Sequence, residues 1–219
     1  MTSAASSPAT PPPDCPLCPR LVAFRADNRR RYPGYHNAPV ASFGPRDARL
    51  LILGLAPGLQ GANQTGRPFT GDYAGDLLYA TLLQEGFATG RYDRRPDDGL
   101  RLLDCRIANA VRCVPPENKP IGAEIAACRP FLQQELEGMP GLKSVLALGR
   151  IAHEQLLAAR GLKRSAYSFA HGALHRLPDG LLLADSYHCS RYNVNTRRLT
   201  PEMFQEVVAS VKRALATAG

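Results

Sequence analysis

The sequence predicts an α/β fold, three-layer α/β/α with a central four-stranded mostly parallel sheet. Three observations predict it. Short apolar runs (RLLIL, Arg101–Val111, SVLALG and LLLA) recur along the chain, segments of helical periodicity separate them, and long Gly- or Pro-rich loops follow several of them. Strands that alternate with helices form parallel sheets covered on both faces. Right-handed crossovers bring the carboxyl ends of all parallel strands to one edge, which gathers loops 54–72, 112–120 and 185–198.

Taken in order, residues 19–31 (PRLVAFRADNRRR) predict a helix with Pro19 at its start and Leu21, Val22 and Phe24 as apolar anchors. The loop YPGYHNAP leads to a strand over Arg49–Leu55. Tyr73–Glu85 carries leucines at helical spacing (Leu77, Leu78, Leu82, Leu83) and ends at Gly86. A polar stretch, RYDRRPDDG, precedes the strand Arg101–Val111, which runs into a second long loop, VRCVPPENKPIG. A helix over Ala123–Glu137, a buried strand over 144–149 and a helix over Arg150–Arg160 follow. SFAHGALHRL, with His171 and His175, predicts turn or surface packing. The last strand, Leu181–Ala184, delivers Ser186, Tyr187 and His188 to a loop, and Thr200 with Pro201 behind it caps a final helix.

A chain of 219 residues with 44% hydrophobic content suits one domain over residues 15–219 with a sizeable core. The opening MTSAASSPATPPPD holds four prolines among small polar residues and is expected to be a disordered leader over residues 1–14. It lacks the basic and apolar regions of a signal peptide, and no apolar run approaches the roughly 20 residues of a membrane span. A cytoplasmic monomer is expected, with no membrane contact. Lys and Arg number 27 against 19 Asp and Glu, a net charge of +8 concentrated in short arginine groups, which attracts polyanions such as nucleic acid.

Six cysteines in such a protein point to metal binding or burial rather than disulfides. Cys15 and Cys18 form a C-x2-C pair whose thiolates can share one metal centre. Soft thiolates suit iron–sulfur clusters or zinc, and spacing does not separate the two.

The loop Gly54–Asp72, GLAPGLQGANQTGRPFTGD, is far longer than the roughly two to six residues usual between strand and helix, which marks it as functional. It carries neither the Gly-Lys-Ser/Thr of a phosphate-binding P-loop nor the G-x-G-x-x-G of a dinucleotide site.

GLAPG after the first strand, TGRPFTGD beyond it, NAVRCVPPENKP after the second and SYHCSR after the last together resemble the uracil-DNA glycosylase superfamily, in particular its iron–sulfur family 5, the B-type enzymes. The resemblance runs from Cys15 to the final helix. It implies a [4Fe-4S] cluster on Cys15, Cys18, Cys113 and Cys128, structural in role and far from the strand-end loops, with Cys105 and Cys189 left over as buried thiols. It also implies hydrolysis of the bond between uracil and deoxyribose in DNA, leaving an abasic site, with hypoxanthine or xanthine as further bases. A non-catalytic iron–sulfur protein recognising damaged DNA, and a zinc-stabilised nucleotide-binding module, are the alternative readings of the same residues.

Glycosylases extrude their base into a pocket and read it by stacking and by hydrogen bonds to its edge. The resemblance gives stacking to Phe69 and base reading to the backbone around Ala56 to Gly58 and to Asn109. Bond cleavage develops positive charge on the sugar and negative charge on the base. His188 is expected to donate to the base oxygen, Asp72 to stabilise the sugar and cap the following helix, and Asn118 to hold the water. Leu55 and Ala56 stand where many superfamily members carry a water-activating side chain. Arg67, Arg112, Lys119 and Arg191 are candidate DNA contacts.

Overall fold

The computed structural model describes residues 10–217. In chain order these form α1 (Pro19–Arg31), β1 (Leu50–Gly54), α2 (Ala62–Thr65), α3 (Tyr73–Gln84), β2 (Ala88–Thr89), β3 (Arg101–Leu102) and β4 (Cys105–Asn109). Then come α4 (Gly122–Glu137), β5 (Ser144–Leu148), α5 (Arg150–Ala159), β6 (Leu174–Arg176), β7 (Leu182–Ser186), α6 (Arg191–Asn195) and α7 (Pro201–Thr217). Strands β4, β1, β5 and β7 pair in parallel in that spatial order, and β6 adds an antiparallel edge beside β7.

The sheet thus has five strands rather than four. The extra strand comes from SFAHGALHRL, expected to be turn or surface. The chain reverses through Leu177-Pro-Asp-Gly, with Gly180 at φ 84° and the Leu177 amide donating to Leu181 O at 2.8 Å. The expected strand Arg101–Val111 is also divided. Its first two residues pair with β2 in a separate ribbon, Asp104 turns the chain at φ 52°, and β4 begins at Cys105.

All of β1 is buried, and the two-residue alternation of a strand sorts its side chains between two layers. Leu50 and Ile52 pack with Leu78 and Leu82 of α3 and with Phe204 and Val208 of α7. Leu51 and Leu53 pack with Leu132 and Leu136 of α4 and with Leu156 and Leu157 of α5. Each such leucine contributes about 1.5–3 kcal/mol by leaving water, so the strand is held from both sides. α1 stands apart, with Leu21 in a small third cluster beside Val111 and Cys128.

From β1 the chain goes to β4 on one side and returns to β5 on the other. That reversal opens a crevice at the carboxyl end of β1, where open α/β sheets bind ligands. Of the expected leader, residues 1–9 lie outside the described residues. Its end is tied down: the Cys15 amide donates to Pro12 O at 2.9 Å, and Asp14 accepts from Arg29 at 2.6 Å. No helix among the described residues is long and apolar enough to cross a membrane.

Candidate active site

The crevice holds a cavity of about 430 Å³ whose wall includes Ala56, Gly58, Phe69, Asp72, Asn109, Asn118, His188 and Arg191. It starts from Gly54, paired across the ladder with Asn109. A methyl group at Gly54 would collide with Asn109 Oδ1 and stand 2.7 Å from the Phe69 ring, so only glycine lets these two side chains meet. Asn109 is buried, and its Oδ1 has no hydrogen-bond partner among the described residues. An orphaned buried acceptor on a cavity wall is suited to an N–H of whatever fills that cavity. Gly54→Ala is expected to close the cavity and to cost about 1–3 kcal/mol in overpacking. Loss of excision together with a lowered melting temperature would check it.

Phe69 is held in a left-handed backbone conformation, φ 51°, which a bulky residue adopts only when its surroundings fix it. Several contacts do so. Tyr92 donates to the Phe69 carbonyl at 3.3 Å, and Tyr79 donates to the Pro68 carbonyl at 2.6 Å. Gly75, bare of a side chain, lets the first turn of α3 lie against the same Phe69 carbonyl. The Phe69 ring then lies 5.8 Å from the His188 ring, centroid to centroid, tilted by 31°.

His188 follows β7, and its backbone carbonyl accepts from Asn193 of α6 at 2.8 Å. No group among the described residues hydrogen-bonds its ring. Burial pushes its pKa down to about 4, so the imidazole is neutral at pH 7 and carries one N–H to donate. Asp72 caps α3 through Oδ1, which accepts from the Ala74 amide at 3.1 Å and the Gly75 amide at 3.4 Å. Its other oxygen is turned to the glycines of the loop. A methyl at Gly58 would stand 3.0 Å from Asp72 Oδ2 and 4.0 Å from Asn118 Oδ1, so both polar groups flank the space over Gly58. Burial raises the Asp72 pKa above the usual carboxylate value, against the pull of the two amides it caps. Asn118 ends a short turn after Pro115 with φ 57°, and its Oδ1 accepts from the Leu59 amide at 3.3 Å, joining the two long loops.

Two of the expected DNA contacts are corrected. Arg67 is buried, gripping Asp98 through both carboxylate oxygens at 2.9 and 2.8 Å and bonding Thr70 at 2.8 Å. It braces the Phe69 turn rather than facing solvent. Arg112 is wholly buried and bonds Glu135 at 2.9 Å and Ser42 at 2.6 Å. A phosphate would have to displace those carboxylates from a desolvated pair. Lys119 and Arg191 are exposed, and Arg191 lies 5.5 Å over the Tyr73 ring. The sequence gave no sign of Asp98 or Tyr92 as braces, because RYDRRPDDG has only the composition of a polar spacer.

The four cysteines Cys15, Cys18, Cys113 and Cys128 all line one small cavity between α1, α4 and the loop after β4. Arg25 is buried there with no carboxylate partner; it donates to Cys113 Sγ at 3.5 Å and to Cys15 O at 3.0 Å. The Arg112 amide points at Cys128 Sγ, 3.3 Å away. Burial pushes the thiol of Cys113 up to about 12 and that of Cys128 to about 11, so these become thiolates only against a metal. A buried cation and an amide directed at sulfur fit an anionic thiolate group. No three cysteines among the described residues bring their sulfurs within 4.8 Å of one another. That spread suits a multi-iron cluster better than one tetrahedral ion with bonds of about 2.3 Å to sulfur. The cavity is also nearer the strand-end loops than expected: Ala56 packs against it and lines the larger cavity too.

A separate group, His153, His175 and Asp185, lies under β6 and β7. His153 faces two acceptors, Asp185 Oδ1 through Nδ1 at 2.7 Å and Tyr167 O through Nε2 at 2.9 Å. Burial opposes its charge, yet the Asp185 hydrogen bond and charge raise its pKa overall, so it serves as a buried ion pair.

The family model of the uracil DNA glycosylase superfamily matches residues 41–212. The chain is 48% identical to the type-5 uracil-DNA glycosylase of Thermus thermophilus over 91% of its own length and 93% of that protein. It is 39% identical to the type-5 enzyme of Pyrobaculum aerophilum, covering 94% of this chain and 90% of that one. The crystal structure of Pedobacter heparinus SMUG2 superposes with a TM-score of 0.50 at 15% identity, over 98% of this chain and 94% of that one, a likeness of fold. On its sequence and its fold alike, the chain belongs to the uracil-DNA glycosylase superfamily, in the type-5 family.

Proposed function

We propose that the protein is a monofunctional DNA glycosylase of base-excision repair that hydrolyses the bond between uracil and deoxyribose in DNA, leaving an abasic site. The observation that carries this reading is the unpartnered Asn109 Oδ1, set in a cavity between the Phe69 ring and a neutral His188. Uracil presents an N–H between two carbonyl oxygens. Asn109 accepts from that N–H, Phe69 stacks on the ring, and the Ala56 amide, which has no partner among the described residues, donates to a carbonyl. His188 donates to the oxygen on which negative charge grows as the bond breaks. Asp72 faces the sugar, and with Asn118 it holds the water over Gly58. The same polar groups accept hypoxanthine or xanthine, which carry a comparable carbonyl and N–H edge.

Lys119 and Arg191 on the rim contact the strand. Cys15, Cys18, Cys113 and Cys128 hold a [4Fe-4S] cluster, which supplies a cross-link between α1, α4 and the loop bearing Asn118. All six cysteines are free, which supports a reducing, cytoplasmic setting, and one chain carries every proposed site residue, which supports a monomer. The test is a duplex with a single uracil, incubated at enzyme excess and then treated with alkali. Strand breakage at the uracil is expected, and an intact strand would overturn the reading. In the same preparation, about four irons per chain are expected.

A further inference from the structure

His188 is a wall of two cavities. Beside the base pocket lies a second one of about 340 Å³, between the turn from β5 into α5, the Phe169–Ala170 segment and Tyr187. Two arginines line it. Arg150 has its guanidinium 5.8 Å from the Phe169 ring centroid, and Arg198 stands 4.6 Å over the Tyr187 ring. Both are exposed, and neither joins an ion pair among the described residues, whereas Arg67, Arg106 and Arg112 are all neutralised by buried carboxylates. No acidic residue lines this cavity. Two unneutralised cations beside two aromatic faces form a surface for an anion joined to an apolar ring or sugar.

We propose that this second cavity holds a backbone phosphate of the DNA strand flanking the extruded nucleotide, with Arg150 and Arg198 neutralising it and Tyr187 and Phe169 lying against the adjoining sugar. The proposal rests on the glycosylase reading, since a base held against His188 keeps its neighbouring phosphate tethered within one nucleotide of the same residue. Lys119 and Arg191 on the rim of the base pocket, together with Arg150 and Arg198 across His188, make a basic track along one strand. The tether is what favours a strand phosphate over a free anion of the same chemistry.

The experiment uses full-length protein and oligonucleotides with one uracil, each carrying one neutral methylphosphonate in place of a single phosphate near the lesion. Equilibrium binding is read by anisotropy over a range of salt concentrations. For the wild type, one flanking position is expected at which the neutral linkage weakens binding. Arg150→Ala with Arg198→Ala is expected to lose sensitivity at that position and to lower the salt slope by about two, roughly one for each lost phosphate contact. Arg150→Lys with Arg198→Lys keeps the charge and is expected to restore most of the slope. An unchanged slope, or a methylphosphonate profile that persists in the double Ala variant, overturns the proposal. So does competition by inorganic phosphate that vanishes in the variant while its DNA profile stays as in the wild type, which marks a free-anion site. Failure of the glycosylase reading looks different: the wild type then leaves every uracil in place, whatever the binding profile.

Discussion

Replacing His188 by Ala is expected to lower the single-turnover rate of uracil excision by about 10²–10³-fold, the usual effect of removing one donor to a developing oxyanion. The stacking surface of Phe69 and the Asn109 acceptor remain in the variant, so binding of uracil-containing DNA is expected to change little. The argument turns on the protonation state. Burial holds the imidazole at about 4, so it donates as a neutral N–H. The single-turnover rate should therefore be flat from pH 6 to pH 8, with no inflection at the ordinary histidine value of 6.5. Stability follows the same group. Between pH 6.5 and about 4 the unfolded chain binds a proton that folded His188 refuses, so acidification across that window destabilises the wild type. The Ala variant lacks this loss. Rates measured at enzyme excess across the pH range check the first expectation, and melting temperatures at pH 4.5 and 7 check the second. An excision rate equal to that of the wild type would remove His188 from the chemistry.

How much of this was legible beforehand differs from element to element. α1, α3, α4, α5 and α7 follow from apolar spacing and from caps at Pro19 and Thr200, whose Oγ1 accepts from the Met203 amide at 3.2 Å. The parallel strands are short apolar runs, and their order follows from chain connectivity. β6 was hidden because only three residues pair and two of them are exposed; the Pro-Asp-Gly turn at its end was the available signal. Strand 101–111 was overextended because Leu102 and Leu103 continue the apolar run, while the break lies in the backbone of Asp104 at φ 52°.

The candidate site was legible where chemistry is local to a loop. Phe69, Asp72, Asn109, Asn118 and His188 all reach one cavity because strand ends converge. Arginine roles were not legible, because charge alone does not reveal a distant partner. Arg67 finds Asp98 and Arg112 finds Glu135 only through the tertiary fold, whereas Arg150 and Arg198, on the same face as His188, stay unpaired.

Asp72 offers the sharper test, because its two oxygens have separable work. Oδ1 caps α3, and asparagine caps a helix about as well as aspartate. Asp72→Asn is therefore expected to keep the cap and lose the charge facing the sugar, with excision falling about 10²–10³-fold. Asp72→Ala loses both, with the same loss of rate and about 1 kcal/mol of stability besides. The stability of the Asn variant then carries information of its own. Burial raises the folded pKa of Asp72, so above that pKa the wild type holds a carboxylate that would be better solvated in the unfolded chain. Removing the charge should leave the Asn variant at least as stable as the wild type at pH 7. The difference should vanish as pH falls below the ordinary value of 3.8, where the carboxyl is protonated in both states. A residue whose charge destabilises the fold yet is required for rate is a catalytic group, and its capping is incidental to that. Should Asp72→Asn instead excise uracil at the wild-type rate, the carboxylate is a helix cap and the sugar must be stabilised by other groups over Gly58.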